Sequence, residues 1–213
     1  MANPTGPGGL TFSRMLDGSA MHAGIHKYVV DASSAAIGFG SPVVKLAGGN
    51  SAAIANGIDR YEIGTLETAT AYVPGSASAI TGVVTGIDPL AVSPGIAVIG
   101  ASPTVNTRVV SVIDSSKAAF LVRDDGLITL TAAAIGKGAF FIAGAAISSG
   151  TAQATMMLDT GGTNALVTSG TTANCVILRG VPNSDNVIGG PNALWEVRIL
   201  NHTEAEGVGA AAV

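Results

Sequence analysis

The sequence predicts an all-β fold: an antiparallel β-barrel or β-sandwich of the tulip or jelly-roll kind, with an extended N-terminal arm and at most one short helix. Three observations carry this. Short β-branched or aromatic runs recur at intervals of roughly 10–15 residues between Gly, Pro, Asn and Asp-Gly turn signals. No long stretch shows the 3.6-residue hydrophobic period of a helix. The hydrophobic share of 47% rests on Ala, Val, Ile and Leu, with only 4% aromatic residues.

Residues 1–24 read as an extended arm. Pro4, Gly6, Pro7, Gly8, Gly9, Gly18 and Gly24 forbid a long regular element. Leu10, Phe12, Met15 and Leu16 are nevertheless too apolar for a solvated tail. Such an arm docks on its own domain or on a neighbour, and Leu10, Phe12, Arg14, Met15 and Leu16 are its candidate interface. Residues 25–203 read as a single β-rich domain. Its strand runs are KYVVDA, SPVVKLAG, RYEIGTLETATAYV, AITGVVTGI, TRVVSVI, AAFLVRDD, GAFFIAGAAI, ATMMLD, TANCVILRGV and ALWEVRILNH. A short helix is expected at Thr131–Ile135, and TGGTNALVTSGTT reads as a flexible or hairpin loop. Residues 204–213 have no pairing pattern and should fray.

The last strand carries the single Trp. Alternation puts Trp195, Val197 and Ile199 on one apolar face, expected to close the core. Glu196 and Arg198 then fall on the solvent or interface side. In CVILRGV both faces are apolar up to Arg179, so that strand reads as central, with Val176 and Leu178 as candidate core residues.

Charge excludes several functions. Charged residues make up 11% of the chain, against about a quarter in an ordinary globular protein. A surface so poor in charge implies that much of it meets other protein. The net charge is −4 and the ten basic residues are scattered, which disfavours nucleic-acid binding. The most apolar window, Leu127–Ser149, holds Lys137 near its centre and several glycines, and reads as short elements rather than a membrane span. The N-terminal residues lack the apolar core of a signal peptide.

No motif reads as catalytic, and no cofactor is expected. His22 and His26 have the i,i+4 spacing of a zinc pair, but Gly24 lies between them and no third ligand completes the site. Asp124-Asp125-Gly126 reads as a strand-ending turn. Cys175, in an apolar run, reads as a small buried hydrophobe. Asp159-Thr160-Gly161 resembles the active-site triplet of aspartic proteases, with a faint later echo in NVIGG. That chemistry needs two carboxylates, so it would require a symmetric dimer.

A second resemblance covers more of the chain. Arg14–Gly49 contains LDGS at Leu16–Ser19, a Tyr-x-Val strand at Tyr28–Val30, and GSPVVKLAG at Gly40–Gly48. Leu158–His202 contains a strand ending near Arg179, a Pro/Asp/Asn turn ending in Ile-Gly, and a W-x-V-x-I-x-NH strand. These ends resemble the capsid decoration, or cement, proteins of tailed bacteriophages. The middle, from Asn50 to Ala119, agrees in spacing only, and VIDSSKAAFLVRDDG departs from the acidic stretch of that family. The resemblance implies a virion protein without enzymatic activity. It would bind the major capsid protein on the outer surface of the head, after assembly in the bacterial cytoplasm, and stabilise the lattice against packaged DNA. Self-association into a homotrimer is favoured, with a dimer second. The alternative is a phage fibre-base or host-attachment module, which the scarcity of Tyr and Trp disfavours.

Overall fold

Strands form where the β-branched runs lie. The computed structural model describes residues 3, 8–49, 54–55, 60–62, 64, 66–76, 78–89, 98–100, 108–144, 154–161, 166 and 173–203. In chain order the strands are β1 (Thr11–Met15), β2 (Ile25–Val30), β3 (Ile37–Gly38), β4 (Pro42–Gly49), β5 (Ile54–Ala55), β6 (Arg60–Tyr61), β7 (Glu67–Ala71) and β8 (Gly82–Ile87). They continue with β9 (Val98–Ile99), β10 (Val109–Ile113), β11 (Ala118–Arg123), β12 (Gly138–Ala143), β13 (Met156–Asp159), β14 (Cys175–Gly180) and β15 (Leu194–Ile199). Each run read from the sequence yields a strand. The expected short helix is a 3-10 turn at Ala132–Ala134, where the Thr131 side chain accepts the Ala133 N–H. A second 3-10 turn at Met21–Gly24, inside the arm, was not expected.

β10, β2, β7, β4 and β8 close into a barrel. Its ladders are antiparallel except β2–β7, which is parallel. Tyr28, Val30, Val43, Ala69, Val84, Val110 and Val112 fill it, joined by Ile37 and Ile99 from the short β3–β9 pair. Medium-sized β-branched side chains suit so narrow an interior. Gly82 sits where a Cβ would overlap the Ile113 carbonyl oxygen, so β8 can cross close to β10 only without a side chain there.

The second unit is a six-stranded sheet in the order β1-β11-β15-β14-β12-β13. It wraps round its own core. A parallel bridge joins Asp124 to Leu158, the Asp125 N–H donates to the Leu158 carbonyl at 3.0 Å, and the Gly9 N–H donates to the Met156 carbonyl at 2.7 Å. The last strand in the order thereby returns to β11 and the arm. Phe120, Val122, Phe141, Leu158, Cys175, Ile177, Trp195, Val197 and Ile199 pack inside. Tyr72, Ile80, Val83 and Ile113 from the barrel side belong to the same cluster, so the core of the sheet reaches the barrel strands while the barrel interior keeps a cluster of its own.

Three expectations are corrected. The arm is not separate from the domain, because Thr11–Met15 is a strand paired with β11. Val176 and Leu178 are half-buried on the outer face of β14, while Cys175 and Ile177 face the core. Glu196, expected on the solvent or interface side, is fully buried. Trp195, Val197 and Ile199 form the inward row read from the sequence, but β15 lies between β11 and β14 and is an interior strand. The tail at 204–213 and nearly all of the 160–172 loop lie outside the described residues.

Candidate functional site

Two β-bulges aim three side chains at one carboxylate. The β1–β11 register shifts between Phe12 and Arg14, and the β14–β15 register shifts between Ile177 and Arg179. An extra residue rephases the alternation locally. Ser13 and Arg14 then both reach Glu196, as does Arg179 from the far side. The Ser13 hydroxyl donates at 2.6 Å and Arg14 donates through Nε at 3.0 Å and Nη2 at 3.2 Å. Arg179 Nε donates at 2.6 Å. Burial pushes the Glu196 carboxyl up, but the hydrogen bonds from Arg14, Ser13 and Arg179 outweigh it and hold its pKa at about 2. This clamp ties the arm across β11 to β15 and β14.

A second polar cluster sits where β10 leaves the barrel. The Tyr28 hydroxyl donates to Asp114 at 2.6 Å, and His26 Nδ1 lies 2.7 Å from the other carboxylate oxygen. His202, buried just beyond β15, also feels the Asp114 charge, but burial dominates and lowers its pKa, favouring the neutral ring. The cluster therefore joins the end of the barrel to the end of the chain's last strand. The Trp195 indole N–H donates to Asp124 at 3.0 Å inside the core, a partner that the sequence did not reveal.

The arm residues divide. Leu10 and Met15 are buried in the chain's own core, and Phe12 packs edge-on against Phe120 with centroids 6.4 Å apart. Arg14 is held by Glu196 and only Leu16 is an exposed apolar residue of the set. Of the two docking modes left open by the sequence, the apolar side chains Leu10, Phe12 and Met15 take the one in cis.

Beyond Leu16, the exposed large apolar residues among those described are Val73, Ile135 and four at one end of the six-stranded sheet. β11 ends, β14 ends and β15 begins at one end of the six-stranded sheet, since Arg123 pairs with Leu194 and Gly180 pairs with Trp195. Leu127 and Ile128 protrude from the loop after β11, 73% and 52% exposed, and Val187 and Ile188 from the β14–β15 loop, 43% and 36% exposed. Gly126 abuts Pro191 and Asn192, so the two loops touch. Both are stiffly held. Asn186 bonds Val181 and Leu194, Asn3 bonds Val187 and Pro191, Asp124 and Asp125 cap the Gly126 and Leu127 N–H groups, and Ile128 N–H donates to Thr160 Oγ1. The readable signal was the Pro/Asn/Asp turn ending in Ile-Gly, which the sequence treats as a connection rather than a surface.

Asp159 accepts the Gly161 N–H at the end of β13. His22 lies in the 3-10 turn of the arm and His26 on β2. Cys175 is buried, and burial raises its thiol pKa far above the ordinary value. Among the described residues no group of three His, Cys, Asp or Glu side chains is placed to hold a metal, and no helix is long and apolar enough to cross a membrane. No family model, no curated protein and no solved structure matches the chain.

Proposed function

We propose that the chain is a structural virion protein of a tailed phage that binds the outside of the head and reinforces the capsid lattice. The observation that carries the reading is the loop end of the six-stranded sheet. It presents Leu127, Ile128, Val187 and Ile188 on braced loops in a chain with few charges. Exposed apolar residues gathered on rigid loops suit protein–protein contact, because little ordering entropy is lost on docking. Burying one such side chain completely yields about 1.5–3 kcal/mol, less for those already half covered. A single contact is then weak, and many copies on a closed shell hold multivalently. The partner is the major capsid protein, a homotrimer is the favoured assembly, and no catalytic step is involved.

The test uses heads prepared without the protein. Wild type should bind them and raise the temperature of DNA release. The pairs Leu127→Ser/Ile128→Ser and Val187→Ser/Ile188→Ser should fold normally yet bind less. Unchanged head stability with bound wild type would overturn the cementing role. Normal binding by both variants would overturn the assignment of the loop end.

A further inference from the structure

Arg108 is a buried cation with no counter-ion among the described residues. It is 7% exposed, and its Nε and Nη2 have no hydrogen-bond partner among the described residues. The residue directly precedes β10, and its carbonyl accepts the Val30 N–H at 2.9 Å, so the β2–β10 ladder runs on through it. The alternation that turns Val110 and Val112 into the barrel places Arg108 on the same face, at the barrel mouth. Desolvation lowers its pKa, with no carboxylate opposing the shift.

Two described carboxylates beside this end, Asp88 and Asp31, are engaged. Asp88 holds Lys27 Nζ at 2.7 Å, and Asp31 accepts the Ser33 hydroxyl and N–H. Pro89 to Thr107, the stretch leading into Arg108, contains no Asp or Glu. Arg14, Lys27, Lys45, Lys117 and Arg179 each face a carboxylate, whereas no such ion pair holds the buried Arg108 among the described residues. A guanidinium does not discharge by losing its proton, so burial calls for an anion. Nε and Nη2 share one edge of the guanidinium, and that edge matches two oxygens of a single oxyanion.

We propose that Arg108 is the receptor of an oxyanion at the barrel mouth, bound side-on through Nε and Nη2. The anion is either a free small oxyanion or a carboxylate of a second protein molecule.

The full chain is titrated with sulfate, phosphate and acetate against chloride at constant ionic strength, by melting temperature and calorimetry. Wild type should show saturable binding. Arg108→Gln should weaken it about tenfold or more, and Arg108→Lys, which keeps the charge without the two-donor edge, should fall between. In chloride, Arg108→Gln should melt no lower than wild type, because it removes an unpaired charge. Sulfate that also dissociates oligomers identifies the source as a partner's carboxylate, whereas binding without dissociation identifies a free anion. Three results overturn the proposal. One is the absence of saturable binding. Another is an equal response in Arg108→Gln, meaning an adventitious ion only. The third is a large loss of melting temperature for Arg108→Gln in chloride, meaning that Arg108 has a partner within its own chain.

Discussion

Replacing Glu196 with glutamine keeps the shape of the clamp and removes the charge that Arg14 and Arg179 share. Glu196 is fully buried, while the Arg14 and Arg179 side chains are 52% and 51% exposed. Holding the carboxyl at about 2 rather than 4.5 corresponds to about 3.4 kcal/mol at neutral pH, at about 1.36 kcal/mol for each pH unit. Water reaches both guanidiniums and screens them, so about 2 kcal/mol is the expected cost. The sign follows from the depressed pKa. The contribution is complete above about 4.5 and disappears as pH falls from there through about 2. Urea unfolding of wild type and Glu196→Gln between pH 7 and pH 2 should show a gap of about 2 kcal/mol that closes at the acid end. At pH 7 the melting temperature should drop by about 4–8 °C for a chain of this size. Parallel curves across the whole range, or equal stability at pH 7, would refute the assignment of the clamp.

Three further outcomes follow from the packing. Trp195→Phe retains most of the ring but removes the indole donor to the buried Asp124, which keeps its bond from the Gly126 N–H, costing about 1–3 kcal/mol in denaturant unfolding, while Trp195→Ala should cost about 3–5 kcal/mol through the cavity it leaves. Gly82→Ala forces a methyl into the Ile113 carbonyl and should destabilise the barrel by about 1–3 kcal/mol, visible as a lower urea midpoint, whereas Gly48→Ala meets open space and should cost less, its effect confined to its positive φ. Cys175 should react with a thiol reagent only as fast as the protein opens, and prompt labelling of the native state would place it outside the core.

The sequence by itself determined the all-β class and nearly every long strand, because β-branched runs between turn residues leave few other conformations. It also placed Trp195, Val197 and Ile199 inside, since strict alternation on an interior strand survives any arrangement of neighbours. Alternation failed where bulges intervene. Ser13, Arg14 and Arg179 converge on Glu196 only because two registers slip, and no composition or spacing announces a slip. Val176 and Leu178 were misread for a related reason: when both faces of a strand are apolar, the pattern does not say which face its neighbours cover. The docking partner of Leu10 and Met15 stayed open because the arm's glycines and prolines mask a five-residue strand whose partner lies about a hundred residues away. Only the tertiary structure decided the closed barrel with its parallel β2–β7 pair, the exposure of Leu127, Ile128, Val187 and Ile188 at one end, and the isolation of Arg108. Each depends on contacts between segments distant along the chain, and local residue preferences do not encode which distant segment will be met.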